Sequence, residues 1–155
     1  MTSSSLHPGF VPHHVEVGDG VQIHAMVGGQ GRPLLLLHGH PQTHVIWHRV
    51  ASRLAQDCTL VLADLRGYGG SSKPAGDADH ANYSKRTMAR DMLRLMQGLG
   101  HPRFDVLAHD RGARVVHRLA LDHAQAVRRL VLLDIAPTLA MYEQTGEAFA
   151  RAYWH

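Results

Sequence analysis

A chain of 155 residues holds about one domain's worth of protein, enough to bury a core but too short for two ordinary domains. Hydrophobic residues make up 45% and charged residues 19%, a globular composition that excludes a disordered chain, and the longest apolar stretches are far shorter than a membrane span. The net charge of +3 comes from basic residues that are scattered and not interleaved with aromatics, which argues against nucleic-acid binding.

Along the chain, His14 to Val17 and Val21 to Val27 alternate apolar and polar residues around Gly18-Asp19-Gly20, the pattern of a β-hairpin. The run Pro33-Leu34-Leu35-Leu36-Leu37 is continuously apolar and predicts a strand buried on both faces. Trp47, Val50, Ala51 and Leu54 recur at helical spacing within a predicted helix over 47–55. A second buried strand is predicted over Thr59 to Asp64, and Ser84 is placed to cap a helix that extends to about Leu99. Phe104 to Ala108, Gly112 to Asp122 and Arg129 to Asp134 then read as strand, helix and strand. Strands that alternate with helices predict an α/β fold, a mainly parallel sheet with helices on both faces, because parallel neighbours need crossover connections. In such sheets the reactive loops lie just after the strands, which directs attention to His38-Gly39-His40-Pro41, Asp64 to Gly67, His109 to Gly112 and Asp134 to Pro137.

The segment Ala108-His109-Asp110-Arg111-Gly112 joins a strand directly to a helix, with small residues two before and two after Asp110. That spacing suits a nucleophile elbow, in which a sharp turn lifts the central side chain above the sheet. Taken alone, Asp110 also fits an ordinary helix cap. Arg111 and Arg114, three apart at the start of the helix, fit either a fork around a carboxylate or two solvated helix arginines. Asp134, in turn, fits a local strand-end turn.

Four motifs in order decide among these readings. His38-Gly39-x-Pro41-Gln42-Thr43, Asp64-Leu65-Arg66-Gly67-Tyr68-Gly69-x-Ser71-Ser72, the Asp110 elbow and Leu132-Leu133-Asp134-Ile135-Ala136-Pro137 resemble the α/β-hydrolase superfamily. His109 to Arg114 and the segment from Ala136-Pro137-Thr138 to Tyr153-Trp154-His155 resemble its haloacetate dehalogenases of the fluoroacetate dehalogenase type.

The resemblance implies Asp110 as nucleophile, Asp134 as the acid that orients a catalytic histidine, and Arg111 and Arg114 as a clamp for the substrate carboxylate. It implies an oxyanion hole from the backbone N–H groups of His40 and Arg111, a halide contact from His155, and packing for Trp154. The family commonly carries an aromatic residue in place of His40, which leaves a backbone role intact. The implied reaction is hydrolysis of a short 2-haloacid through an aspartyl ester, without cofactor or metal. Epoxide hydrolases and haloalkane dehalogenases use the same ester and are the alternatives within the superfamily, and a non-catalytic fragment is the alternative outside it.

In this fold the base follows the acid in chain order, and the only histidine after Asp134 is His155. The expectation is therefore an N-terminal half, with residues 1–137 as part of the core and residues 138–155 as the start of a cap, truncated before the cap and the last strands are complete. The resemblance also suggests a homodimer when intact, and the single cysteine, Cys58, with no visible secretion signal, suggests a cytoplasmic protein. A metal site is weighed at His38, His40, His44 and His48, and set aside because no carboxylate or cysteine lies near them in sequence.

Overall fold

The computed structural model describes residues 6–143 and 145–153. The expected hairpin is formed by β1 (Val11–Glu16) and β2 (Gln22–Gly29), antiparallel, around a tight turn in which Gly18, Asp19 and Gly20 all take positive φ. The leucine run is β3 (Arg32–Leu37), followed by a 3-10 turn over His44–Trp47, helix α1 (His48–Leu54) and strand β4 (Cys58–Ala63). The chain continues through α2 (Lys85–Gly98), β5 (Phe104–His109), α3 (Asp110–Asp122) and β6 (Val127–Leu133), and ends in the short helices α4 (Thr138–Glu143) and α5 (Glu147–Tyr153).

These strands form one sheet in the order β1-β2-β4-β3-β5-β6. The first two pairings are antiparallel and the remaining three, β4 with β3, β3 with β5 and β5 with β6, are parallel. Central position explains the leucine run of β3. Leu35 and Leu37 pack on one side with Met88, Met92, Val115 and Val116 of α2 and α3, while Leu36 packs on the other with Trp47 and Ala51. Each such leucine, fully buried, contributes about 1.5–3 kcal/mol. Helices therefore cover both faces, as the alternation of elements predicts.

Among the boundaries that differ from the sequence expectation, such as the start of β1 at Val11 instead of His14, three have a local setting. The first helix is preceded by a 3-10 turn because Thr43 caps it early, its Oγ1 accepting from the Val45 amide at 3.4 Å. α3 begins at Asp110 rather than Gly112, since the chain leaves β5 through an extended His109 and turns at once. β6 begins at Val127, with a register irregularity opposite Phe104 and Asp105. The Ser84 cap forms as expected, its Oγ accepting from the Thr87 amide at 3.2 Å.

β6 lies at the sheet edge, and Val131, Leu132 and Leu133 are exposed on it. Loop 64–72 is tied to α2 by a buried ion pair, in which Arg66 donates to both carboxylate oxygens of Asp91 at 2.8 Å. Among the described residues no helix is long and apolar enough to cross a membrane.

Candidate active site

Three loops converge at the carboxyl ends of β3, β4 and β5, and Asp110 stands at their centre. It is the first residue of α3 and takes φ 47°, a left-handed conformation costly for a side chain-bearing residue. The helix cap position is His109, with no side-chain capping bond, so Asp110 does not serve as the cap. Its carboxylate turns toward the loop after β3, where the His40 amide donates to Oδ1 at 2.8 Å.

Glycines permit this close approach. A Cβ on Gly39 would lie 2.5 Å from both Cβ and Oδ1 of Asp110. At Gly112, whose amide donates to the His38 carbonyl at 3.0 Å, a Cβ would meet the Leu37 Cβ at 2.8 Å. Burial opposes ionisation of Asp110, but hydrogen bonds from the His40 and Arg111 amides, with the nearby charges of His109 and Arg111, outweigh it and hold the carboxyl below its ordinary value.

Asp110, His40, Arg111, Arg114 and Lys85 line a cleft of about 290 Å³. Arg111 is exposed, whereas Arg114 is half-buried and donates from Nη1 to Thr138 Oγ1 at 3.1 Å and from Nη2 toward Met141 Sδ at 3.3 Å. Lys85 was not singled out from the sequence. Its signal was positional: it follows the Ser84 cap, and a helix that comes after a parallel strand starts on the reactive side of the sheet. Burial first, then the charges of Arg111 and Arg114, lower the Lys85 ammonium below the ordinary lysine value, while Asp110 pulls the other way. A larger cleft of about 770 Å³ shares Lys85 and Arg114 and runs between α3 and the α4–α5 segment.

The structure brings Asp134 to the same rim. It follows β6, takes φ 55°, is largely exposed, and its Oδ2 lies 3.5 Å from His109 Nε2. His109 also lies 3.1 Å through Nδ1 from Gln42 Oε1, so its ring is turned to Gln42 and Asp134. Gln42 in turn accepts from the Gly39 amide at 3.0 Å, and Tyr68 Oη is 3.0 Å from His40 Nδ1. These partners hold the loop that carries the His40 amide. Sequence reasoning quoted Gln42 and Tyr68 only as motif members. His155 and Trp154 lie outside the described residues.

One expectation is corrected. The histidines after β3 have no carboxylate near them in sequence, but parallel pairing of β4 beside β3 delivers Asp64 to two of the four, His38 and His44. Asp64 is fully buried, with Oδ1 3.0 Å from His44 Nδ1 and Oδ2 3.2 Å from His24 Nδ1. His38 is buried beside them, its Nε2 accepting from the Leu65 amide at 3.1 Å and its Nδ1 2.8 Å from the Gly39 carbonyl oxygen. Burial, only partly offset by that carbonyl and by Asp64, keeps His38 below the ordinary histidine value.

An elbow aspartate at a strand-to-helix turn, amides converging on it, and a parallel sheet with antiparallel leading strands define an α/β hydrolase. A profile of the alpha/beta hydrolase fold matches residues 32–153, and the chain belongs to that family. It is 56% identical over 150 residues to a fluoroacetate dehalogenase from a Burkholderia species, covering 97% of this chain and 49% of that protein. It is also 37% identical over 139 residues to a soluble epoxide hydrolase from Corynebacterium, covering 90% of this chain and 46% of the relative. Among solved structures, an alpha/beta hydrolase from Nostoc superposes with a TM-score of 0.89 at 54% identity, covering 94% of this chain and 50% of its own. The chain thus spans about half the length of the relatives it matches.

Proposed function

We propose that this chain supplies the nucleophile half of a hydrolase that releases halide from a short 2-haloacid. The observation that carries the proposal is the charge of the cleft: Lys85, Arg111 and Arg114 face one carboxylate, Asp110. Such a surplus of positive charge favours an anionic substrate and offers little to an uncharged haloalkane or epoxide. The 56% identity to a fluoroacetate dehalogenase supports the same choice.

In the proposed reaction one oxygen of Asp110 attacks the α-carbon, and the carbon–halogen bond breaks with its electron pair leaving as halide. The arginines hold the substrate carboxylate so that the α-carbon faces Asp110, which lowers the entropic cost of attack. Oδ1, already held by the His40 amide, becomes the ester carbonyl oxygen. When water adds at Cγ, the negative charge develops on that oxygen, where the His40 amide already points. Collapse of this adduct frees the 2-hydroxyacid and restores the carboxylate. Asp134 is the proposed orienting acid for the histidine that activates the water. His155 is reserved for the halide, so the proposal assigns that base to the part of the relatives beyond the matched half. Residues 138–155 are then the first part of a cap, and the intact protein is a cytoplasmic homodimer without a cofactor.

Epoxide hydrolysis through the same ester is the second reading, supported by the Corynebacterium relative. The full-length protein, given chloroacetate, an uncharged chloroalkane and a small epoxide in parallel, is expected to turn over only chloroacetate. Equal turnover of the uncharged substrates would contradict the proposal. For the 155-residue chain itself, mass spectrometry after chloroacetate exposure is expected to show one adduct on Asp110 without sustained halide release. Sustained release would show that the chain needs no further histidine.

A further inference from the structure

Two carboxylates are deeply buried near the reactive edge of the sheet, and they are neutralised differently. Asp91 has a two-pronged guanidinium partner in Arg66. Asp64 has no such cation: its ion-pair partners among the described residues are the imidazoles of His24, His38 and His44. His24 comes from β2, His44 from the 3-10 turn after β3, and Asp64 from the end of β4, three elements that the strand order places side by side.

The spacing is that of a ligand set. One atom from each of His24, His44 and Asp64 lies within 4.8 Å of the others, and the two imidazoles meet different oxygens of the carboxylate, His44 Nδ1 lying 3.0 Å from Oδ1 and His24 Nδ1 3.2 Å from Oδ2. A tetrahedral zinc with bonds of about 2.0–2.1 Å sets its ligand atoms about 3.3 Å apart, so the three side chains draw in from separations of at most 4.8 Å to receive it.

The carboxylate is already oriented by backbone donors, the His44 amide to Oδ1 at 2.7 Å and the Gly70 amide to Oδ2 at 2.9 Å, as outer-shell bonds orient metal ligands. Gly70 backs the His24 ring, where a Cβ would meet its Cγ at 2.8 Å, which fixes the ring against the carboxylate. Both imidazoles remain partly open, 13% and 16% exposed, so an ion can enter from solvent and keep water as a fourth ligand. Two further rings extend the row, His7 at 5.5 Å from His44 and His14 at 5.0 Å from His24.

We propose that His24, His44 and Asp64 form a binding site for a zinc-class divalent ion, separate from the Asp110 cleft. The ion replaces the hydrogens that now bridge each Nδ1 to the carboxylate, those hydrogens moving to Nε2. It ties β2 to the loops after β3 and β4. Because it binds the folded state, it stabilises by mass action.

The test uses the full-length protein stripped with a chelator and titrated with Co²⁺ and Zn²⁺. One equivalent of Co²⁺ is expected to give the visible absorption of a tetrahedral ion, and saturating Zn²⁺ to raise the melting temperature by about 4 °C or more. His24→Asn and His44→Asn each leave Asp64 a hydrogen-bond donor while removing a ligand nitrogen, and each is expected to weaken binding at least tenfold. His80→Asn, at an exposed histidine outside the cluster, is expected to change nothing. Absence of the Co²⁺ band in the parent protein, or unchanged binding in His24→Asn, would overturn the proposal. The His24→Asn arm suffices if His44→Asn does not fold.

Discussion

The His40 amide donates to Oδ1 of Asp110 at 2.8 Å, across the gap between the loop after β3 and the first residue of α3. In a serine hydrolase a converging amide of this kind would await the substrate's oxygen. Here the carboxylate itself fills the position, and in the proposed reaction the oxyanion forms on that same oxygen when the aspartyl ester is hydrolysed.

That bond makes a pH prediction. The folded-state pKa of Asp110 is depressed, so the ionised form persists to lower pH than in a free aspartate, whose value is about 3.9. Any stability this group contributes is present above the unfolded value and lost as pH falls through the folded one. Formation of the chloroacetate adduct is therefore expected to be flat from neutral pH down to about pH 5. An acid limb centred near pH 6 would show that a histidine, not Asp110, controls the step.

The cationic cleft predicts a pattern in KM. Charge-assisted hydrogen bonds are worth about 1.5–3 kcal/mol each, so Arg111→Gln and Arg114→Gln are expected to raise KM for haloacetate about tenfold to a hundredfold. Lys85→Met, which removes charge without a clamp contact, is expected to raise it less. Steady-state halide release checks all three, and an unchanged KM in Arg114→Gln would remove the clamp.

Gly39 carries a steric prediction. With a Cβ placed 2.5 Å from the Asp110 carboxylate oxygen, Gly39→Ala must displace that carboxylate, and with Asp110 as the proposed nucleophile, misplacement on this scale costs about a hundredfold in rate. Rapid-quench measurement of adduct formation is expected to show that loss. A parent-like rate would mean that the loop after β3 does not position Asp110.

Stability of the reactive edge is predicted to depend on Arg66 and Asp91. Removing one partner of a buried, two-pronged pair leaves an uncompensated charge and costs about 3–5 kcal/mol. Urea unfolding of Arg66→Met and Asp91→Leu should show this, with the double variant recovering much of the loss. Additive losses would show that the two residues act independently.

The strands and caps were legible in the sequence because their signals are local. The leucine run of β3, the alternation in the hairpin and the Ser84 cap each depend on residues within a few positions of one another. The direct strand-to-helix turn at Asp110 was legible for the same reason. The His24–Asp64 contact was not, because it depends on register: His24 reaches Asp64 only since Ala25 pairs with Ala63 in antiparallel strands 38 positions apart. His109 illustrates a finer limit. It is visible in the sequence as the neighbour of Asp110, but its approach to Asp134 requires β6 to pair beside β5.

The central claim, that Asp110 is alkylated by the substrate and then regenerated at its own carboxyl carbon, is tested most directly by a single turnover of the full-length protein in heavy-oxygen water. The account predicts that the label appears in the Asp110 carboxylate and that the glycolate carries the protein's original oxygen. Label found only in the glycolate would mean that water attacks the substrate itself, and would contradict Asp110 as the nucleophile.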